Sequence, residues 1–268
     1  MSEGSTAGPV LVLGAGDVGS AVAHALFTAG FNVALQDGPS PPATPRRGMA
    51  FADAFFDEEA SLAGVVARRA DTPGSLPAIW AAHSLIPFLT SEVEKALTVE
   101  RWSRVVDARM RKRAIPEDLR RAAPLALGLG PGFVAGTNCH VAIETSWEAL
   151  GKVVAVGATL PLRGEPSPIG GAGRERTIYA AGDGVFRTTH KIGDHVSSDP
   201  VGTLGGTPVP APMPGVLRGL VRDGVRVRAG AKLVEVDPRG DPALCFGLGE
   251  RPKRIAAAVL GVLTPTTP

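Results

Sequence analysis

The stretch Val10–Leu26, VLVLGAGDVGSAVAHAL, decides how the first half of the chain is read. Its opening run, Val10–Leu13, has the composition of a buried strand. The glycines then fall as Gly14-x-Gly16-x-x-Gly19, and an amphipathic run follows with Val18, Ala21, Val22, Ala25 and Leu26 on one face. A second apolar run, Phe31–Leu35, ends in Gln36-Asp37. Strand, glycine turn, helix, strand and terminal acid form the context that a dinucleotide fingerprint requires. In that reading Gly14 allows the tight turn and Gly16 lets a pyrophosphate approach the backbone. Gly19 lets helix and strand pack closely, and the helix N-terminus favours the anion. Asp37, roughly 20 residues on, stands where a ribose-binding carboxylate belongs. Asp17 complicates the turn: its charge would repel a phosphate, unless it caps the helix. The same pattern also arises when the glycines serve packing alone.

Working outward, Asp37–Arg47 is a proline-rich loop. Met49–Phe56, Val65–Arg69 and Pro77–Ala82 read as short strands or helices. Arg104–Ala108 and Pro124–Leu129 read as further strands, the latter running into a second glycine-rich turn. Such alternation predicts an α/β fold with a doubly wound parallel sheet over residues 1–150. From Lys152 to Val236 short β-branched runs alternate with Gly, Pro and Asp and lack a helical period, so residues 151–268 are expected to be β-rich. Within them Gly184-Val185-Phe186-Arg187 and Gly193-Asp194-His195-Val196 are echoed by Gly215-Val216-Leu217-Arg218 and Gly224-Val225-Arg226-Val227. This duplication, with APMPGVLRGLV at Ala211–Val221, resembles the biotinyl/lipoyl barrel-sandwich domain, here at about 178–237. The hairpin joining its halves, TLGGTP at Thr203–Pro208, holds no lysine. Covalent biotin or lipoate therefore has no anchor, since Lys191 and Lys232 lie within the repeats. The C-terminal tail is expected to return to the first domain.

The second glycine-rich stretch, LALGLGPGFVAGTNCHVAIET, spans Leu125–Thr145. Gly128, Gly130 and Gly132 could present backbone N–H groups as an anion nest. Cys139 and His140 follow and are the candidate catalytic residues, but not a dyad by adjacency, since neighbours on a strand point to opposite faces. A reactive Cys139 needs a lowered pKa, and Arg109, Arg111, Lys112 and Arg113 are the cations at hand. A tight polar turn and a solvated basic face account for the same residues. No CxxC, HxH or HExxH spacing marks a metal site, and there is no GxSxG elbow.

The formal charge of +2 suggests neither a nucleic-acid groove nor a general membrane-surface role, and neither partner is expected. The 34 glycines and 24 prolines favour tight turns over long helices. No apolar run approaches the roughly 18 residues of a membrane helix, and no signal-peptide pattern opens the chain. Cys139 and Cys245 make no disulfide framework. A cytoplasmic protein is expected.

The blocks GAGDVGSAVAHALFTAGF, TPRRGMAFADAFF, DARMRKR, GLGPGFVAGTNCHVAIET, APMPGVLRGLV and DPRGDPALCF occur in that order. Together they resemble the accessory proteins of selenium-dependent molybdenum hydroxylases, over nearly the whole chain. The resemblance implies a Rossmann-like domain joined to a barrel-sandwich domain. It also implies a role in maturing a client molybdenum hydroxylase of the xanthine dehydrogenase type. Asp107, Lys112 and Arg113 match that family's acid and basic pair, while Ala114 replaces its usual asparagine. A molybdopterin dinucleotide, or NAD(P), would suit the first glycine turn. An NAD(P)-dependent oxidoreductase, and a non-enzymatic scaffold offering a surface for homo-oligomer assembly, remain alternatives.

Overall fold

In a computed structural model, residues 8–70, 73–111, 114–162, 164 and 168–264 are described. Lys112 and Arg113 lie outside them. Chain contacts divide the protein into two units. One comprises the N-terminal segment to Ser40, Ala50–Leu162 and the segment from Leu248 onward; the other comprises Pro41–Met49 and the stretch after Leu162 to Gly247. The sequence reading placed the cut at residue 150, with a C-terminal tail returning to the first domain. The loop 41–49 thus belongs with the β-rich unit, and the C-terminal helix belongs with the first.

The first unit is built on a nine-stranded mixed sheet. Its strands are β1 (Val10–Leu13), β2 (Val33–Asp37), β3 (Glu59–Leu62), β4 (Val65–Arg69), β5 (Ile86–Thr90), β6 (Arg104–Asp107), β7 (Leu125–Leu129), β9 (Val141–Ile143) and β10 (Val153–Val154). The order is β10-β9-β7-β6-β1-β2-β5-β4-β3. All neighbours from β9 to β4 run parallel; only the edge pairs β9–β10 and β3–β4 are antiparallel. A two-residue ribbon pairs β8 (Val134–Ala135) with β11 (Gly157–Ala158).

Parallel strands buried on both faces need apolar residues at every position, which is why VLVL lacks alternation. Val10 and Val12 join a core with α1 (Asp17–Thr28) and with Ile255, Ala256, Val259 and Leu263. Leu11 and Leu13 join the opposite core, with Leu76, Ala96, Trp102 and Leu119. Between β2 and β4 lies α2 (Ala54–Asp57), between β4 and β5 lies α3 (Leu76–Ala82), and after β5 comes α4 (Val93–Thr98). The last helix, α5 (Glu250–Leu263), packs along α1. Strand β1 feeds β2 on one side and is flanked by β6 on the other, so the chain reverses its progression across the sheet between β1 and β6.

The second unit holds two four-stranded antiparallel sheets, β12-β19-β17-β14 and β16-β15-β13-β18. Their strands are β12 (Thr177–Tyr179), β13 (Gly184–Arg187), β14 (His195–Val196), β15 (Pro200–Leu204), β16 (Thr207–Pro210), β17 (Gly215–Leu220), β18 (Arg226–Val227) and β19 (Lys232–Asp237). The sequence repeat is legible in the pairing. The first strand of each copy bonds the second strand of the other, β13 with β18 and β14 with β17. The hairpin falls at Thr203–Pro208, where Leu204 faces Thr207. Gly205 and Gly206 occupy its two-residue turn at φ 56° and 89°, the left-handed pair that such a turn demands.

Candidate functional site

The carboxyl ends of β1, β2 and β6 bring together the first glycine turn, Asp37 and Asp107. In register, Gln36, Leu13, Asp107 and Gly128 form one row across four strands. In parallel sheets of this kind, ligands bind outside this edge where the strand order reverses.

The three glycines of the turn have different reasons to be small. Gly14 sits at φ 96°, and a Cβ there would come within 2.8 Å of the Arg109 Cα. A Cβ on Gly19 would lie 1.8 Å from the Gly14 carbonyl oxygen. Both are demanded by packing. A Cβ on Gly16 would meet nothing within 4 Å. Gly16 is also the N-cap of α1 with extended backbone, a position that other residues fill as well. The fold does not require glycine there.

Asp37 reaches back to this turn. Its Oδ2 accepts the Ala15 N–H at 2.9 Å, and its Oδ1 accepts the Gly38 N–H at 2.9 Å. Burial raises its pKa; the two N–H groups and the charge of Arg109 pull the other way. Asp17 is the first helical residue rather than the N-cap, and its Oδ1 accepts the Val18 N–H at 3.0 Å.

Asp107 stands beside the turn, and its carboxylate is taken up by neighbouring arginines. It is buried, and Arg109 holds it through Nε–Oδ1 at 3.0 Å and Nη2–Oδ2 at 2.5 Å, with Arg111 Nη2 at 3.2 Å. Glu117 closes the network, accepting Arg109 Nη2 at 2.9 Å and Arg111 Nη1 at 2.6 Å. The Arg111 guanidinium beside Glu117 lowers its carboxyl to about 2. The expectation that Asp107 contacts a cofactor is therefore corrected: its oxygens orient Arg109 and Arg111. These arginines, read from sequence as cations for Cys139 or as a solvated basic face, are instead paired with Asp107 and Glu117 at this edge.

The second glycine stretch does not complete the site. The Gly130 N–H donates to the Ile143 carbonyl at 3.0 Å, and Asn138 closes the loop by accepting the Val134 N–H and donating to the Gly132 carbonyl. Gly128 makes room for the Phe133 ring, and Gly132 turns beside Pro116. The Gly130 N–H is thus taken by β9 and the Gly132 carbonyl by Asn138, so the Gly130 N–H is withdrawn from the anion nest expected there.

Cys139 and His140 lie before β9, toward the amino edge of the sheet. His140 is level with Ala126, bonding its carbonyl through the backbone N–H and accepting its N–H at Nδ1 at 2.9 Å. Gly14 is level with Leu129 and Ile143, three residues further along and three strands across. That separation is roughly 10 Å along the strands and roughly 14 Å across them. Cys139 is buried against Phe133, Ala142 and Val154. Burial pushes its thiol up to about 11, against the pull of the Gly128 backbone and Arg120. A cation-activated thiol was expected; the hydrophobic surroundings produce the opposite shift. Cys245 is also buried, and also raised to about 11. No group of three or more His, Cys, Asp or Glu fit to hold a metal occurs among the described residues.

No family model matches the sequence. The chain is 34% identical over 258 residues to the uncharacterized protein YqeB of Escherichia coli strain K12, an alignment covering 95% of this chain and 47% of YqeB. The chain thus spans about half the length of the curated relative it matches. Two structures of the ectoine utilization protein EutE (DoeB) from Ruegeria pomeroyi align over 86% of this chain. The product-bound form aligns over 85% of its own chain with a TM-score of 0.25 and 13% identity. The apo form aligns over 86% of its own chain with a TM-score of 0.24 and 12% identity. Among the described residues no helix is long and apolar enough to cross a membrane.

Proposed function

We propose that the first unit is a Rossmann-like nucleotide-binding domain and the second a barrel-sandwich module without a carrier lysine. The whole would serve maturation of a molybdenum hydroxylase of the xanthine dehydrogenase type by holding a nucleotide or a nucleotide-bearing molybdenum cofactor. The observation that carries the binding reading is Gly16. It is the one glycine of the turn that no neighbouring protein atom requires, and it caps a helix at the strand-order reversal. A glycine that packing does not need, at a place where a pyrophosphate would meet the backbone, is accounted for by that ligand.

The bound group would supply either nicotinamide redox chemistry or a metal-binding pterin. The chain's own residues would do the holding. Gly16 leaves room for the phosphates and Asp37 would take a ribose hydroxyl. Arg109, whose backbone passes beside Gly14, adds positive charge. Asp17 tunes the choice: its carboxylate already occupies the Val18 N–H. It therefore disfavours a dianionic terminal phosphate more than a diester pyrophosphate, which carries one charge per phosphate.

Equilibrium titration of the full chain with NADH, NADPH and a pterin dinucleotide tests this. Binding of the pterin dinucleotide in preference to both nicotinamides is the expected result. Tight NAD(P)H binding alone would instead make the protein an oxidoreductase, and no binding to any of the three would leave a scaffold.

A further inference from the structure

The second unit concentrates positive charge on one buried carboxylate. Glu235 of β19 is fully buried. Its Oε1 accepts Arg46 Nη2 at 2.9 Å and Arg176 Nη1 at 2.5 Å; its Oε2 accepts Arg46 Nε at 3.1 Å and Lys232 Nζ at 2.8 Å. Arg218 Nε stands 3.7 Å from Oε1. The sheet register makes this convergence possible. Glu235 lies opposite Thr177 on β12 and opposite Gly219 on β17. A Cβ on Gly219 would come 3.0 Å from the Glu235 Cβ and 3.4 Å from the Pro45 Cβ. The absence of a side chain lets the segment carrying Arg46 lie against the sheet.

Buried donor atoms are left over in this cluster. Thr177 Oγ1 and Arg218 Nε make no hydrogen bond. Thr177 is opposite Glu235, so its side chain stands on the same face. The other end of Arg218 is committed, Nη1 meeting Asp237 Oδ2 at 3.4 Å and the Leu244 carbonyl. Asp237 is otherwise bound by Arg239. Unpaired buried donors call for a water or an ion. The local field favours the ion. The pKa values of Arg218 and Lys232 are both lowered, by burial first, and the charge of Arg46 pushes each further down. A water leaves that repulsion in place, whereas an anion relieves it.

We propose that this cluster is an oxyanion site, in which Lys232, Arg218 and the Thr177 hydroxyl take up a phosphate group beside Glu235. Lys232 and Arg46 are partly solvent-exposed and form the entrance; Arg176 and Glu235 are buried and form the floor. Glu235 fixes the guanidinium planes, and its acceptor positions are taken by them. The remaining donors point to an acceptor-only guest, since an arginine offers five N–H groups and a lysine three. The site lies wholly in the second unit and does not depend on nucleotide binding at the Gly16 turn.

Amine acetylation of the full chain, read residue by residue by mass spectrometry, tests it in the unmodified protein. Saturating inorganic pyrophosphate should slow acetylation of Lys232 about fivefold or more and leave exposed Lys191 unchanged. Equal protection by ADP and pyrophosphate would show recognition of the phosphate alone; protection by ADP only would show a nucleotide-borne phosphate. In a Gly16→Val background, Lys232→Met should weaken the calorimetric Kd for the protecting anion about tenfold or more. Lys232 labelling that neither anion changes, or a Kd unmoved by Lys232→Met, would overturn the proposal.

Discussion

The carboxylate of Asp37 accepts the backbone N–H of Ala15 at 2.9 Å, which ties the end of β2 to the middle of the first glycine turn. This carboxylate is held at a cost, since burial raises its pKa and outweighs the N–H groups and Arg109 that lower it. A charge kept in a place that disfavours it marks a candidate functional group.

Asp37→Asn removes the charge and keeps one acceptor. The folded pKa of Asp37 lies above its ordinary 3.8. Its contribution to stability is therefore present below that value and lost as pH rises through the folded pKa. Above about pH 4 the Asn variant should thus gain stability relative to the parent, read from urea midpoints across pH. Affinity for NADH should fall about tenfold while NADPH, whose 2′-phosphate the carboxylate repels, loses less. Parallel losses for both nucleotides would take Asp37 away from the ribose.

Gly16 and Gly19 separate ligand from packing. Gly16→Val should still fold, losing about 1 kcal/mol because valine is a poorer N-cap than glycine. Nucleotide affinity should drop about 100-fold, since the side chain takes the phosphate's place. Gly19→Ala would set a Cβ 1.8 Å from the Gly14 oxygen and should cost several kcal/mol, on the order of 3, in unfolding free energy. A Gly16→Val variant that binds like the parent would remove the ligand as the reason for glycine at this position.

The thiols should be equally inert. Both are buried, and both are raised to about 11, so the thiolate fraction at neutral pH is very small. Under native conditions a thiol-specific reagent should label Cys139 and Cys245 slowly and at similar rates, with full reaction only in denaturant. Fast native labelling of Cys139 would reinstate it as a nucleophile.

The elements that announce themselves locally were legible in the sequence. The βαβ start, the strands at Arg104 and Leu125, the Gly205–Gly206 hairpin and the β-rich second unit all rest on short-range pattern and turn chemistry. Strand β5, Ile86–Thr90, passed unnoticed because a proline interrupts its short apolar run, although it pairs in the interior of the sheet. The candidate site was half legible. Gly16 and Asp37 belong to one local motif. Cys139 and His140 were joined to it only by chemical type, and the register then placed them toward the other edge. Nor could spacing reveal the Glu235 cluster, whose partners Arg46, Arg176 and Arg218 come from three segments far apart in the chain.

That cluster yields the sharpest stability prediction. Glu235 is buried, and Arg46, Lys232 and their hydrogen bonds hold its carboxyl below the ordinary 4.5 despite the burial that opposes them. A depressed folded pKa contributes stability above the unfolded value, lost as pH falls below about 4.5 toward the folded one. Glu235→Gln removes the charge on which Arg46, Arg176 and Lys232 converge. It should destabilise the protein at neutral pH by about 3–5 kcal/mol, the usual consequence of stranding buried charge. The loss relative to the parent should shrink as the pH falls through 4 and below. Arg176→Met added to Glu235→Gln removes the deepest of the cations and should recover part of the loss, so the two substitutions should be clearly non-additive. Urea denaturation of the parent, both single variants and the double variant at pH 7 and pH 4 measures this coupling. Additive losses, or a Glu235→Gln variant as stable as the parent at pH 7, would mean that the carboxylate is not what holds these cations together.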